Sequence, residues 1–197
     1  MRFHHPMNDI LGNEVRLAVL RVLTKSAPKG WTGRALAREV GFSPTQTGRA
    51  LDALEGVGVI RRESAGRAFV WRLATDHVLA GSLVRLFSEE DGVLLALKSD
   101  LRAALAKLPA QKAWLFGSIA KANERTTSDI DLLVQVRSAS AQEQVEESLS
   151  ALTTQFIVRF GNPLSTIVVR SAQEGRGVDP ELLREVRTRG VPLVGSP

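Results

Sequence analysis

Apolar and polar positions along the chain change their period several times, and each change marks an element. From residue 10 to 24, Ile10, Leu11, Val15, Leu17, Ala18, Leu20, Val22 and Leu23 recur at helical spacing, and Lys25-Ser26-Ala27-Pro28 ends the run. The spacing predicts one helix turned toward a core. Thr32 then precedes a short helix over 34–40, which Gly41 stops, and Ser43-Pro44-Thr45-Gln46 opens the next. Ser43 suits the cap, Pro44 the first helical position, and Gln46 completes a capping box. Thr47, Ala50, Leu51 and Leu54 share one face of that helix, leaving Thr45, Gln46, Arg49 and Asp52 outward. Beyond Gly56 and Gly58 the period falls to two. Residues 59–63 and 68–73 alternate on either side of Ser64-Ala65-Gly66-Arg67, which predicts a hairpin.

Over 79–108 the helical period returns, with Leu83, Val84, Leu86, Phe87, Val93, Leu94, Leu97, Leu101, Leu105 and Leu108, and Pro109 closes it. One or two amphipathic helices are expected there, broken near 88–92. Such a stripe serves either to pack the two halves of the chain together or to pair two chains as a homodimer, and both uses remain open. The remainder predicts a strand over 113–116, a helix start at Ile119, and a mostly buried strand over 128–136. A helix over 141–153 follows, then strands near 155–160 and 165–170, a helix capped before Pro180, and a small strand over 191–194.

Composition narrows the class. The 197 residues are 44% hydrophobic and 24% charged, which suits packed globular domains, and the absence of cysteine removes disulfides and thiolate chemistry. The start lacks the apolar core of a signal peptide, and the apolar runs are too short to span a bilayer. A cytoplasmic location without a membrane partner is therefore expected. The net charge is +5, but its placement says more: up to Thr75 there are twelve basic residues against six acidic ones, so the positive excess lies in the first module. His4, His5 and His77 have no metal-ligand spacing and read as surface residues, the first two beside a loose terminus.

Two helices about a tight turn, followed by a hairpin with arginines at its tip, resemble the winged helix-turn-helix family over about the first third of the chain. That resemblance implies binding to double-stranded DNA, with Thr45, Gln46 and Arg49 facing the major groove and Arg62 and Arg67 on the wing.

Chemistry concentrates in the second half. A strand that ends in Gly117-Ser118 at a helix start suits phosphate, because glycine permits close backbone approach and the free N–H groups point outward. Asp129 and Asp131 are two apart on a strand, so both carboxylates leave the same face. Two hard oxygen ligands beside a phosphate-binding turn suit magnesium bridging a triphosphate. Phe116-Gly117-Ser118, ten intervening residues, and Asp129-Ile130-Asp131-Leu132-Leu133-Val134 resemble the signature of the nucleotidyltransferase superfamily that includes DNA polymerase beta, and above all its minimal members.

This resemblance implies Mg2+ and NTP as ligands, with Gly117, Ser118 and Lys121 toward the nucleotide and Asp129 and Asp131 as catalytic metal ligands. The family also uses a third carboxylate on a following strand, yet there is no Asp or Glu between Glu147 and Glu174. The expected position falls near 165–168. The family's Arg-Gly after the serine is replaced by Lys121-Ala122.

The fold class expected is α+β: a winged helix-turn-helix over 1–75, a helical connector over 76–109, and a nucleotidyltransferase-like domain with a small mixed sheet over 110–197. Two functions lead, beside a third in which a nucleic-acid-modifying enzyme uses the winged helix only to bring its substrate close. One is transfer of a nucleoside monophosphate to a hydroxyl on a macromolecular acceptor, protein or RNA. The other is a transcription regulator or antitoxin-like repressor whose second domain senses nucleotide or is catalytically degenerate.

Overall fold

A computed structural model of the protein describes residues 1–66, 68–171 and 179–195, with the backbone alone for Asp9 and Ile10. The chain divides into two compact units, one formed by residues 5–92 and the other by residues 1–4 together with 93–197.

In the unit of residues 5–92, the single helix expected over 10–24 is two: α1 (Pro6–Leu11) and α2 (Glu14–Lys25). Gly12 and Asn13 both take positive φ and break the run, and Asn13 caps α2 by accepting from the Arg16 N–H. A two-residue strand β1 (Trp31–Thr32) leads into α3 (Gly33–Val40), which Thr32 caps and a left-handed Gly41 ends. Helix α4 (Pro44–Gly56) has the capping box, and buries Thr47, Ala50, Leu51 and Leu54. Strands β2 (Ile60–Ala65) and β3 (Ala68–Leu73) pair antiparallel from Ile60↔Leu73 to Ala65↔Ala68. β1 adds to the free side of β3 through Trp31↔Trp71. Leu17, Leu20, Leu23, Leu36, Leu51, Leu54, Ile60 and Trp71 make the core, joined by Phe87. Helices α2, α3 and α4 around a three-stranded sheet with a projecting hairpin make a winged helix-turn-helix.

Helix α5 (Ala80–Leu105) is continuous, where a break near 88–92 was expected. The acidic run Ser88-Glu89-Glu90-Asp91 looks like a polar interruption, but Glu90 is 1% exposed and its charge is matched. Arg21 donates to both Glu90 oxygens, at 2.6 and 2.9 Å, and the Met7 N–H adds a third bond at 3.0 Å. The C-terminal part of α5 packs in the second unit through Leu97, Leu101 and Leu105.

The second unit is a four-stranded sheet in the order β6-β5-β4-β7. Strand β4 (Lys112–Leu115) runs antiparallel to β5 (Ile130–Val136) and to β7 (Val191–Val194), while β6 (Leu164–Arg170) lies parallel to β5. Between β4 and β5 sits one turn of helix, α6 (Gly117–Ala120). Helix α7 (Ala139–Phe160) crosses from β5 to β6, and α8 (Pro180–Arg189) precedes β7. The strand expected over 155–160 is the end of α7. Its aromatic and β-branched residues favour a strand locally, but Phe156 and Phe160, one turn apart, stack at 5.7 Å and enter the core.

The sheet has two unlike faces. Ile130, Leu132, Val134 and Val136 turn toward α5 and α7, against Val145 and Leu149. Trp114, Leu133 and Val169 turn the other way, against Leu183 and Val186 of α8. By strand alternation Asp131 belongs to this second face, with Ser165 beside it.

Candidate functional site

Phe116, at the end of β4, donates its N–H to the Asp131 carbonyl at 3.0 Å, which pins the strand end to β5 before the chain turns into α6. Gly117 follows at φ 70°, and a methyl group on it would overlap the Asp131 carboxylate, 2.8 Å from Cγ. The residue has to be glycine for both reasons, and its missing side chain is what lets the carboxylate lie against the turn. Ser118 follows in the same turn, and its carbonyl accepts from the Asn123 N–H at 3.1 Å.

Asp131 is half-buried, and Asp129, just before the strand, is exposed. Burial first, and the neighbouring Asp129 charge second, push the Asp131 carboxyl up from its ordinary value, against a hydrogen bond from Ser165 that lowers it. A carboxyl raised by burial and by a second carboxylate is one that a cation relieves, so the donor set fits a hard divalent ion. Among the described residues no group of three His, Cys, Asp or Glu side chains converges on a metal position. Lys121 lies at the end of α6, where Glu185 of α8 binds its Nζ at 2.5 Å and is itself held below the usual carboxylate range by that hydrogen bond. Both side chains reach solvent, so the pair is weak and little is lost when it opens. A cleft of about 100 Å³ opens here, between Gly117, Lys121, Glu185 and Arg189.

On the winged helix, Thr45, Gln46 and Arg49 are all exposed along the first turns of α4. The Gln46 side-chain oxygen is used by Ser43, at 3.3 Å from its N–H and 2.7 Å from its hydroxyl, which leaves the amide nitrogen to donate outward. Arg62 lies over Phe69 and Trp71, 5.0 and 5.6 Å from the ring centroids, and 3.7 Å from Glu55. Arg61 is committed to Asp76 at 2.6 Å and Arg72 to Glu63 at 2.9 Å. Among the described residues Arg34, Arg38 and Arg49 have no carboxylate within ion-pair distance, and Arg34 and Arg38 border an open hollow between α3 and α4. Arg67, expected on the wing, lies outside the described residues.

Residues 100–188 match the family described as Polymerase beta, Nucleotidyltransferase. The second unit therefore carries a nucleotidyltransferase domain. A search of curated proteins finds no match to the chain. Among solved structures, a MarR family transcriptional regulator from Silicibacter pomeroyi is 24% identical, over 52% of this chain and 70% of that one, with a TM-score of 0.37. ZitR of Lactococcus lactis in complex with DNA is 18% identical, over 73% and 75%, with a TM-score of 0.36. MepR of Staphylococcus aureus, a transcription regulator of a multidrug efflux pump, is 18% identical, over 53% and 83%, with a TM-score of 0.39. Scores at this level add nothing to the helix order and hairpin pairing already described.

Within the nucleotidyltransferase domain, the position left open by the third carboxylate narrows to one residue. Ser165 is the register partner of Asp131 and hydrogen-bonds its carboxylate, whereas Thr166 pairs with Leu132 and takes the core-facing side of β6. The N-terminal residues are the main surprise. Phe3 is 1% exposed in the core of this domain, and the His4 ring nitrogen meets Glu124 at 2.8 Å, where sequence reasoning placed a loose terminus with surface histidines. An isolated Phe in a four-residue segment carries no periodicity, so only its apolar character hinted at burial. No helix among the described residues is long and apolar enough to cross a membrane.

Proposed function

We propose that the protein binds duplex DNA through its winged helix and Mg-NTP through its nucleotidyltransferase domain, with slow transfer of a nucleoside monophosphate to a macromolecular hydroxyl. The observation that carries the nucleotide half is the Asp131 carboxylate seated against the side-chain-free, positive-φ Gly117. That seat puts carboxylate oxygens beside the phosphate-binding turn, as a cation bridging a triphosphate requires. Asp129 and Asp131 would hold Mg2+, which when bound neutralises phosphate charge. Gly117 and Ser118 would offer the turn to the phosphates, and Lys121 would leave Glu185 for them. In the transfer, the acceptor oxygen bonds to the α-phosphorus as the bond to pyrophosphate breaks. The acceptor proton needs a base, and Ser165, opposite Asp131, is a poor one, so it passes to water, to the substrate's own phosphate, or to a group brought by the acceptor.

The same serine favours a second reading, in which the domain senses nucleotide and the winged helix acts as a transcription regulator. Incubating the full chain with each labelled NTP and magnesium, alone and with candidate protein or RNA acceptors, separates the two. Label on an acceptor supports transfer. Saturable Mg-NTP binding that changes DNA affinity, with no label transferred, supports the sensor, and absence of both refutes the nucleotide assignment.

On the DNA side, Thr45, Gln46 and Arg49 would meet the major groove and Arg62 and Arg67 the flanking backbone. The support is the exposure of Thr45, Gln46 and Arg49 on α4 and of Arg62 on the hairpin, with the excess of basic residues in this part of the chain.

A further inference from the structure

Asp129 stands just outside β5, so the loop between α6 and the strand has to hold it in place. That loop closes on itself, with the Ser128 N–H donating to the Arg125 carbonyl at 3.1 Å and the Arg125 N–H to the Ser128 hydroxyl at 2.9 Å. It is tied at both ends of this turn. On the Asp129 side, Asn162, buried at the end of α7, donates to the Ser128 carbonyl at 2.6 Å, and the Ile130 N–H donates to the Pro163 carbonyl at 2.9 Å.

On the other side stands Glu124, 8% exposed, one residue before the turn. One of its oxygens accepts from the Phe3 N–H at 3.0 Å and the His4 N–H at 2.9 Å, and meets the His4 Nδ1 at 2.8 Å. Among the described residues its other oxygen is buried with no hydrogen-bond partner, and the N-terminal segment supplies the bonds that anchor this carboxylate. The segment is itself fixed, because the buried Phe3 ring lies 5.8 Å from Phe160, two residues before Asn162. Both ties on the loop therefore start from one packed point.

We propose that Glu124, clasped by Phe3 and His4, is a positioning residue for the Asp129 side of the metal site. This rests on the reading of Asp129 and Asp131 as metal ligands. A buried carboxylate bound by charge-assisted hydrogen bonds fixes the turn that delivers Asp129, and so replaces the order that a strand would give it. The N-terminal residues thus belong to the nucleotidyltransferase site by function as well as by packing.

The test is Mn2+ binding to the full chain, followed by electron paramagnetic resonance, with thermal unfolding in parallel. Glu124→Ala should weaken Mn2+ by about tenfold, the low end for losing a group that orients a ligand. Glu124→Gln keeps an acceptor for the Phe3 and His4 N–H groups and should stay within about threefold of wild type. Rescue by glutamine separates positioning from simple charge. Unchanged Mn2+ affinity in Glu124→Ala, or a Glu124→Gln variant as weak as Glu124→Ala, overturns the proposal. Should Glu124→Ala not fold, His4→Ala decides. It should weaken Mn2+ about two- to threefold and speed amide exchange at residues 125–129 but not in β4, and wild-type behaviour overturns the clasp. Asp129→Asn and Asp131→Asn serve as references. If both keep wild-type Mn2+ affinity, the metal-site reading itself fails; if they lose it while Glu124→Ala does not, the clasp alone fails.

Discussion

Replacing Asp131 by asparagine should stabilise the nucleotidyltransferase domain in metal-free buffer, even though it removes a residue assigned to the site. Burial and the Asp129 charge raise the Asp131 carboxyl. A folded-state value above the unfolded one gives stability that is complete only below the unfolded pKa and is lost as pH rises through the folded one. At neutral pH the ionised group is therefore a net burden. Residues two apart on an extended chain are about 6.6 Å apart. At about 7 Å the repulsion is about 0.6 kcal/mol in water-like surroundings and about 2.4 kcal/mol at an effective dielectric of 20. Asp129 is exposed, so the lower figure applies. Asparagine keeps an oxygen for the Ser165 hydroxyl, so little is lost in exchange. A domain of this size should melt about 2–5 °C higher by scanning calorimetry at pH 7. The advantage should shrink as pH falls and the wild-type carboxyl takes up its proton, which its raised pKa brings on earlier than for a free aspartate. Saturating Mg-NTP should reverse the order, because ligand at a hundred times its Kd adds about 2.7 kcal/mol to the wild type alone. An Asp131→Asn protein that melts below wild type without metal, or that gains equally from Mg-NTP, refutes the reasoning.

Three further outcomes are expected. Ser165→Asp should raise label transfer in the NTP assay, whereas Thr166→Asp should lower the melting temperature with no gain in transfer, because its side chain shares a face with Leu132 and the core; equal behaviour of the two would falsify the face assignment. Gly117→Ala should destabilise the domain by about 1 kcal/mol or more and abolish Mg-NTP binding in calorimetry, since the added methyl group meets the Asp131 carboxylate and the turn holds this residue at φ 70°, which alanine disfavours. Arg49, Arg62 and Arg67 changed together to alanine should lower duplex affinity and flatten its salt dependence by about one unit per lost phosphate contact. Intact DNA affinity in that triple variant excludes the proposed interface.

Local signals carried most of this architecture. The capping box at Ser43, the stop at Gly41, the buried face of α4 and the hairpin pairing are short-range features, each written within a few residues. What sequence missed depends on distant partners. Glu90 looks like a helix breaker until Arg21, far away in the chain, neutralises it. The end of α7 looks like a strand until Phe156 and Phe160 have a core to enter. In the proposed site, the approach of Gly117 to Asp131 could be expected from spacing, while the place of Ser165 beside Asp131 needed the β5–β6 register and the contacts of Glu124 needed the tertiary position of Phe3 and His4.

The choice between enzyme and sensor turns on which features of the site cost stability. A half-buried Asp131 beside Asp129 is unfavourable in the empty domain, and asparagine would relieve it. Ser165 has the opposite character. It hydrogen-bonds Asp131 and spares β6 a third carboxylate against the other two. The unfavourable feature is the one that would serve cation binding, and the relaxed one stands where proton transfer would be served. On the proposed reading, a domain so divided should bind Mg-NTP while its turnover depends on what the acceptor brings. Transfer should then be slow to water and selective for an acceptor that supplies its own base, and a rapid rate of NTP hydrolysis by the isolated chain would contradict this division.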